Sequence, residues 1–110
     1  MSTLVIPESI MIEGERWRVC LENTAPKRFR KRKPLLSRGI YGETHYHDKL
    51  ILIADGLTQD QQAETFVHEL LHATYHAIND QELGAALEER IVEGLDGPLY
   101  RVLLQLEIIK

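Results

Sequence analysis

Hydrophobic positions recur every second residue in the first half of the chain and every three to four in the second, so a sheet-forming front precedes a helical back. Within residues 10–21, Ile10 and Ile12 lead into Glu13-Gly14, a turn pair, and Trp17, Val19 and Leu21 then share one face, as in a β-hairpin. The alternation lapses over residues 23–37, where Pro26 and Pro34 bracket a dense run of like charge. That stretch reads as a loop, free to move. Residues 40–47 and 50–54 follow as two more strands around Asp48-Lys49, and the second of them is the more hydrophobic.

A helix start is written after Asp55-Gly56, where Thr58 can cap and Gln61, three residues on, can complete a capping box. Ala63, Phe66, Val67, Leu70, Leu71, Ala77 and Ile78 then keep a helical period whose stripe is expected to face the sheet, with His68 and His72 at its margin. Asn79-Asp80 is the expected stop. A second helix is predicted from about Gln81 or Gly84 to Ile109, with Leu87, Ile91, Val92, Leu95, Leu99, Val102, Leu103 and Leu106 on its inner face. Gly97-Pro98 marks a place for it to kink or split. These elements define an α+β protein, a small and mainly antiparallel sheet packed on two helices. At 110 residues the chain holds one core, so 1–110 is read as a single domain.

Composition narrows the setting. The longest apolar run, Leu50-Ile51-Leu52-Ile53-Ala54, is far below the roughly 20 residues that span a bilayer. Residues 1–7 lack the basic and apolar segments of a signal peptide, and Cys20 is the only cysteine, which rules out an internal disulfide and a cysteine zinc cluster. A reducing, cytoplasmic location is expected. The net charge of −4 is unevenly spread: six of the seven residues 27–33 (Lys27, Arg28, Arg30, Lys31, Arg32 and Lys33) are cationic, while no acid lies between Glu22 and Glu43. This run could meet nucleic-acid phosphates, or serve only as a solvated loop.

The chemistry sits in His68-Glu69-Leu70-Leu71-His72. Histidines at i and i+4 stand about 6 Å apart along a helix axis and point the same way, so both imidazoles can reach one tetrahedral Zn²⁺. The intervening Glu69 can meet water on the metal without being a ligand, and so serve as general acid and base. A third ligand is still required. His76 lies about 12 Å along the axis from His68, too far to share the ion. On an antiparallel return helix, residues near 88–90 come level with the pair, and both Glu88 and Glu89 are there. Glu88 shares the expected inner face with Ile91, Val92 and Leu95 and is chosen as ligand, with Glu89, about 100° round the helix, as the alternative.

At these residues the chain resembles a known group. Thr65-Phe66-Val67-His68-Glu69-Leu70-Leu71-His72-Ala73, followed by Leu87-Glu88-Glu89-Arg90-Ile91-Val92, looks like the small gluzincin-type zinc metallopeptidases of phages and prophages, and the resemblance covers about residues 10–106. It implies a zincin-like fold, in which a short twisted sheet precedes a motif helix and a glutamate-bearing helix. It also implies one zinc per chain held by His68, His72 and one of Glu88 or Glu89, with Glu69 as the catalytic acid and base. The expected substrate is a protein or peptide.

Several neighbours stay open. Residues 51–53 would make a natural edge strand to hold an extended substrate. Tyr75, His76, His45, Tyr46 and His47 are candidate substrate or oxyanion contacts that sequence does not rank, and His45 with His47 could form a separate metal site. Two other functions compete: a non-catalytic nucleic-acid- or protein-binding module that keeps zinc for folding, and a zinc hydrolase of a non-protein amide. The intact Glu69 speaks against the first, because a structural site has no use for it. Oligomeric state is not legible.

Overall fold

The computed structural model describes residues 5–78 and 85–109. Strands β1 (Ser9–Ile12), β2 (Glu15–Leu21), β3 (Gly42–His45) and β4 (Leu50–Ile53) form one sheet in the order β1-β2-β4-β3. A short helix α1 (Lys27–Arg30) lies between β2 and β3, and two long helices, α2 (Gln59–Ile78) and α3 (Ala85–Ile109), complete the α+β architecture. The expected end of α2 at Asn79-Asp80 and the start of α3 near Gln81 or Gly84 fall outside the described residues.

The hairpin forms where the alternation predicts it. Ile12 pairs with Glu15, which leaves Glu13 and Gly14 as a two-residue turn, both with positive φ, 48° and 81°. That is the backbone of a type I′ turn, whose twist suits paired strands. β2 and β4 run parallel, which requires the long crossover 22–49, whereas β1–β2 and β3–β4 are antiparallel.

The strand Leu50–Ile53 is interior, between β2 and β3, and not the edge expected from the sequence. All four of its residues are fully buried. Ile51 and Ile53 join Trp17, Val19, Phe66 and Ala73 on the face that α2 covers, while Leu50 and Leu52 join Ala25, Phe29 and Leu35 on the other. An unbroken apolar run is the signature of a strand buried on both sides. β3 is the edge instead.

The cationic stretch is likewise not a loose loop. It covers the second face of the sheet, with Phe29 and Leu35 buried and the buried carboxylate of Glu22 accepting the N–H of Leu35 at 2.9 Å. Arg28 pairs with Asp48, Arg32 with Glu43 at 2.6 Å, and Arg30 donates to the carbonyl of Ala25. The apolar anchors are too widely spaced to register as a period, so the charges alone set the sequence reading.

α2 begins with the predicted capping box: the N–H of Gln61 donates to Thr58 Oγ1 at 3.1 Å and the N–H of Thr58 to Gln61 Oε1 at 3.0 Å. α3 packs antiparallel on α2 through Val92, Leu99, Tyr100 and Leu103, and it continues through Pro98 without splitting. Its roll differs from the expected one. Leu87, Ile91, Leu95, Val102 and Leu106 face solvent. Apolar residues occupy about half the circumference of α3, and periodicity cannot say which part of that half docks. Among the described residues, no helix is long and apolar enough to cross a membrane.

Candidate metal centre

His68, Glu69 and His72 lie in the third and fourth turns of α2, and α3 brings its carboxylates level with them. His68 Nε2 is 3.2 Å from Glu89 Oε1, and His72 Nε2 is 3.0 Å from Glu89 Oε2. One ligand atom from each of the three residues falls within 4.8 Å of the other two. Bonds of about 2.0–2.1 Å in a tetrahedral zinc site separate neighbouring donors by roughly 3.3 Å, so these spacings are of the size an ion needs.

The opposite nitrogens are also taken. His68 Nδ1 is 2.8 Å from Asp96 Oδ2, and His72 Nδ1 is 2.5 Å from Glu88 Oε2. An ionised carboxylate only accepts, so in the neutral rings each proton belongs on Nδ1 and each Nε2 lone pair is directed towards Glu89. Two imidazoles oriented by carboxylates and one further carboxylate make a three-residue donor set of the kind that fits catalytic zinc.

Glu88, the ligand chosen from sequence, thus stands on the far side of His72, where it also accepts a hydrogen bond from Tyr46 at 3.3 Å. Glu89, the alternative, is the one whose oxygens lie against both Nε2 atoms. The roll that exposes Ile91 and Leu95 turns Glu89 inward. Asp96 was not singled out by sequence. Its signal was available, since Glu89, Val92 and Asp96 follow one helical face at i, i+3 and i+7.

Glu69 is 7% exposed, and Thr44 of β3 donates to its Oε1 at 2.8 Å. Burial raises its pKa, and the Thr44 hydrogen bond and the nearby His68 and His72 only partly offset this. At His68, burial opposes the charged ring, but the Asp96 hydrogen bond and the charges of Glu69 and Glu89 outweigh it, and the pKa is raised. Tyr46 is raised by burial first and by Glu88 next. A Cβ built on Gly42 would stand 2.7 Å from Thr65 Cγ2 and 3.1 Å from Glu69 Cγ, so glycine lets β3 approach the motif helix closely.

The centre opens on a cleft of about 780 Å³ lined by Gly42, Thr65, His68, Glu69, His72 and Glu89, with Tyr41 at its wall. Tyr75 and His76 are not part of that lining. The Tyr75 hydroxyl is buried without a hydrogen-bond partner among the described residues, and His76 stacks on Tyr46 at 4.1 Å. His45 turns to Glu43 and Phe29, and His47 is exposed, so these two do not assemble with other ligands. Among the described residues, His68, His72 and Glu89 form the one group with metal-ligand spacing. Of the six cations that could meet nucleic acid or serve only as a solvated surface, Arg28, Arg30 and Arg32 hold protein groups, while Lys27, Lys31 and Lys33 are exposed.

No protein-family model matches the chain, and neither a curated protein nor a solved structure is significantly similar to it.

Proposed function

We propose that the chain is a zinc-dependent metallopeptidase of the small gluzincin type found in phages and prophages, cleaving protein or peptide substrates in the cytoplasm. The convergence of His68 Nε2, His72 Nε2 and Glu89 beside the buried carboxylate of Glu69, on the wall of an open cleft, carries this reading. A zinc-binding fold domain has a use for the first three residues but none for the fourth.

Zinc held by His68, His72 and Glu89 supplies a Lewis acid that polarises a carbonyl and acidifies water. Glu69 takes a proton from the attacking water and returns it to the leaving amine. Thr44 holds the working carboxylate in place. Asp96 and Glu88 keep both imidazoles facing inward. β3 pairs with β4 along one side only, so its other edge is suited to receive an extended peptide by backbone hydrogen bonds.

Metal analysis of purified protein, joined to proteomic identification of new peptide termini, tests the reading. About one zinc per chain is expected in both wild type and Glu69→Gln, with new termini only in wild type. Protein that takes up no zinc would sink the metal centre. Equal cleavage by both proteins would sink the role of Glu69.

A further inference from the structure

Leu87, Ile91, Leu95, Val102 and Leu106 of α3 are 46, 38, 50, 49 and 52% exposed. Pro98, also exposed, fills the gap in the series. Spaced by four, four, three, four and four residues, these six positions fall within about 100° of the helix circumference. They form an apolar stripe with Glu88 and Gln105 at its two margins. The α3 residues that line the cleft are Glu89, Glu93 and Asp96, so the stripe lies outside the cleft wall, although the docking of those carboxylates on α2 sets the roll that exposes it.

At 1.5 Å per residue and a helix diameter near 10 Å, the stripe is about 28 Å long and covers roughly 300 Å². That is the size of the largest apolar patch on an ordinary monomer, and such patches are often functional. Its width suits a single helix with a matching stripe. Among the described residues of α2, Phe66, Leu70 and Ala73 are committed to the sheet and Ala63, Val67 and Leu71 to α3. A second copy of α3 offers a stripe of matching length and width.

The spacing reads the same from either end, with its midpoint between Asp96 and Gly97. A two-fold antiparallel pairing therefore sets Leu87 against Leu106, Ile91 against Val102 and Leu95 against Pro98 of a second copy. Gly94, which has no side chain to hold a second helix away, lies beside the crossing point. A stable interface takes up about a tenth of a small protein's surface. For a surface of 7240 Å² that is roughly 700 Å² per copy, somewhat over half of it apolar. The stripe, with half-buried Leu99 on its margin, supplies most of that apolar share.

We propose that this stripe is a homodimer interface, in which two copies pair antiparallel through α3 and leave both clefts open. The modest area suits a dimer in exchange with monomer.

Sedimentation velocity on the zinc-supplemented full chain, from about 5 to 300 µM, tests this. The mass is expected to climb from the monomer's 12.7 kDa towards twice that value. Leu95→Glu, at a half-exposed position, is expected to weaken association by at least about 30-fold with metal content and circular dichroism unchanged. Oxidised Ile91→Cys/Val102→Cys protein is expected to form a covalent dimer that Ile91→Cys alone does not. Wild type that stays monomeric to the highest concentration, Leu95→Glu that dimerises as well as wild type, or efficient cross-linking of Ile91→Cys alone would each overturn the proposal.

Discussion

Glu88 and Glu89, adjacent on α3, address opposite nitrogens of one ring: Glu88 Oε2 is 2.5 Å from His72 Nδ1, and Glu89 Oε2 is 3.0 Å from His72 Nε2. A ring gripped in this way has one orientation, and on the proposed reading only Glu89 is left to bind an ion. Glu89→Gln is therefore expected to lose zinc by a hundredfold or more, since it removes a charged donor. Glu88→Gln keeps an amide oxygen to accept from Nδ1 and should lose about tenfold. Competition titration against a chromophoric chelator ranks the two, and the reverse order would show that the roll of α3 is wrong.

Asp96 plays the corresponding part at His68. Its Oδ1 also accepts the N–H of Gly97 at 2.6 Å, which fixes the carboxylate on its own helix. Asp96→Ala removes the Nδ1 acceptor and is expected to weaken zinc binding by about 10- to 100-fold, with Asp96→Asn in between because it retains one oxygen. Unchanged affinity in Asp96→Ala would mean that packing alone orients His68.

Gly42 is the point of closest approach between the edge strand and the motif helix. A methyl group there meets Thr65 Cγ2 at 2.7 Å, the carbonyl of Leu52 at 3.0 Å and Glu69 Cγ at 3.1 Å, and the carbonyl belongs to the interior strand and cannot give way cheaply. Gly42→Ala should cost about 1–3 kcal/mol in denaturant unfolding and displace Glu69. If the accommodating shift is made by Thr65 alone, Gly42→Ala/Thr65→Ser restores the stability, and any remaining deficit measures the backbone's share.

Much of the fold was legible because local signals agreed with one another. Glu13-Gly14 placed the hairpin turn, Thr58 with Gln61 placed the start of α2, and the i, i+4 histidines with Glu69 placed three members of the site on one helix. The misread features depend on what covers a surface. Residues 51–53 read as an edge although the unbroken apolar run 50–54 already marks a strand buried on both faces; what no local signal shows is that residues 22–49 supply the cover. Phe29 and Leu35, which anchor that cover, are two apolar residues among many charges. The roll of α3 was misjudged because a helix apolar over half its surface has two equally good stripes. The choice between them is set by Asp96 and Glu89, polar residues that go inward because His68 and His72 are there to receive them.

Glu69 separates stability from catalysis. Its pKa is raised in the folded, metal-free protein, chiefly by burial, so between the ordinary carboxylate value and the raised one the native state binds more protons than the unfolded chain. The stability this carboxyl contributes is complete below the unfolded value and is lost as pH rises through the folded one. Glu69→Gln is neutral at every pH and can still accept from Thr44, so it escapes that loss. Thermal melts in chelator should show the two proteins nearly matched near pH 4, with Glu69→Gln the more stable at pH 7. With zinc restored, Glu69→Gln should bind about as tightly as wild type and have no measurable hydrolysis, since it lacks the proton-transfer group and has lost no ligand. A variant that is no more stable than wild type at pH 7 would mean that the buried carboxylate is already compensated without metal. A variant that is more stable, loaded and inert would place the cost of burying Glu69 with its chemistry.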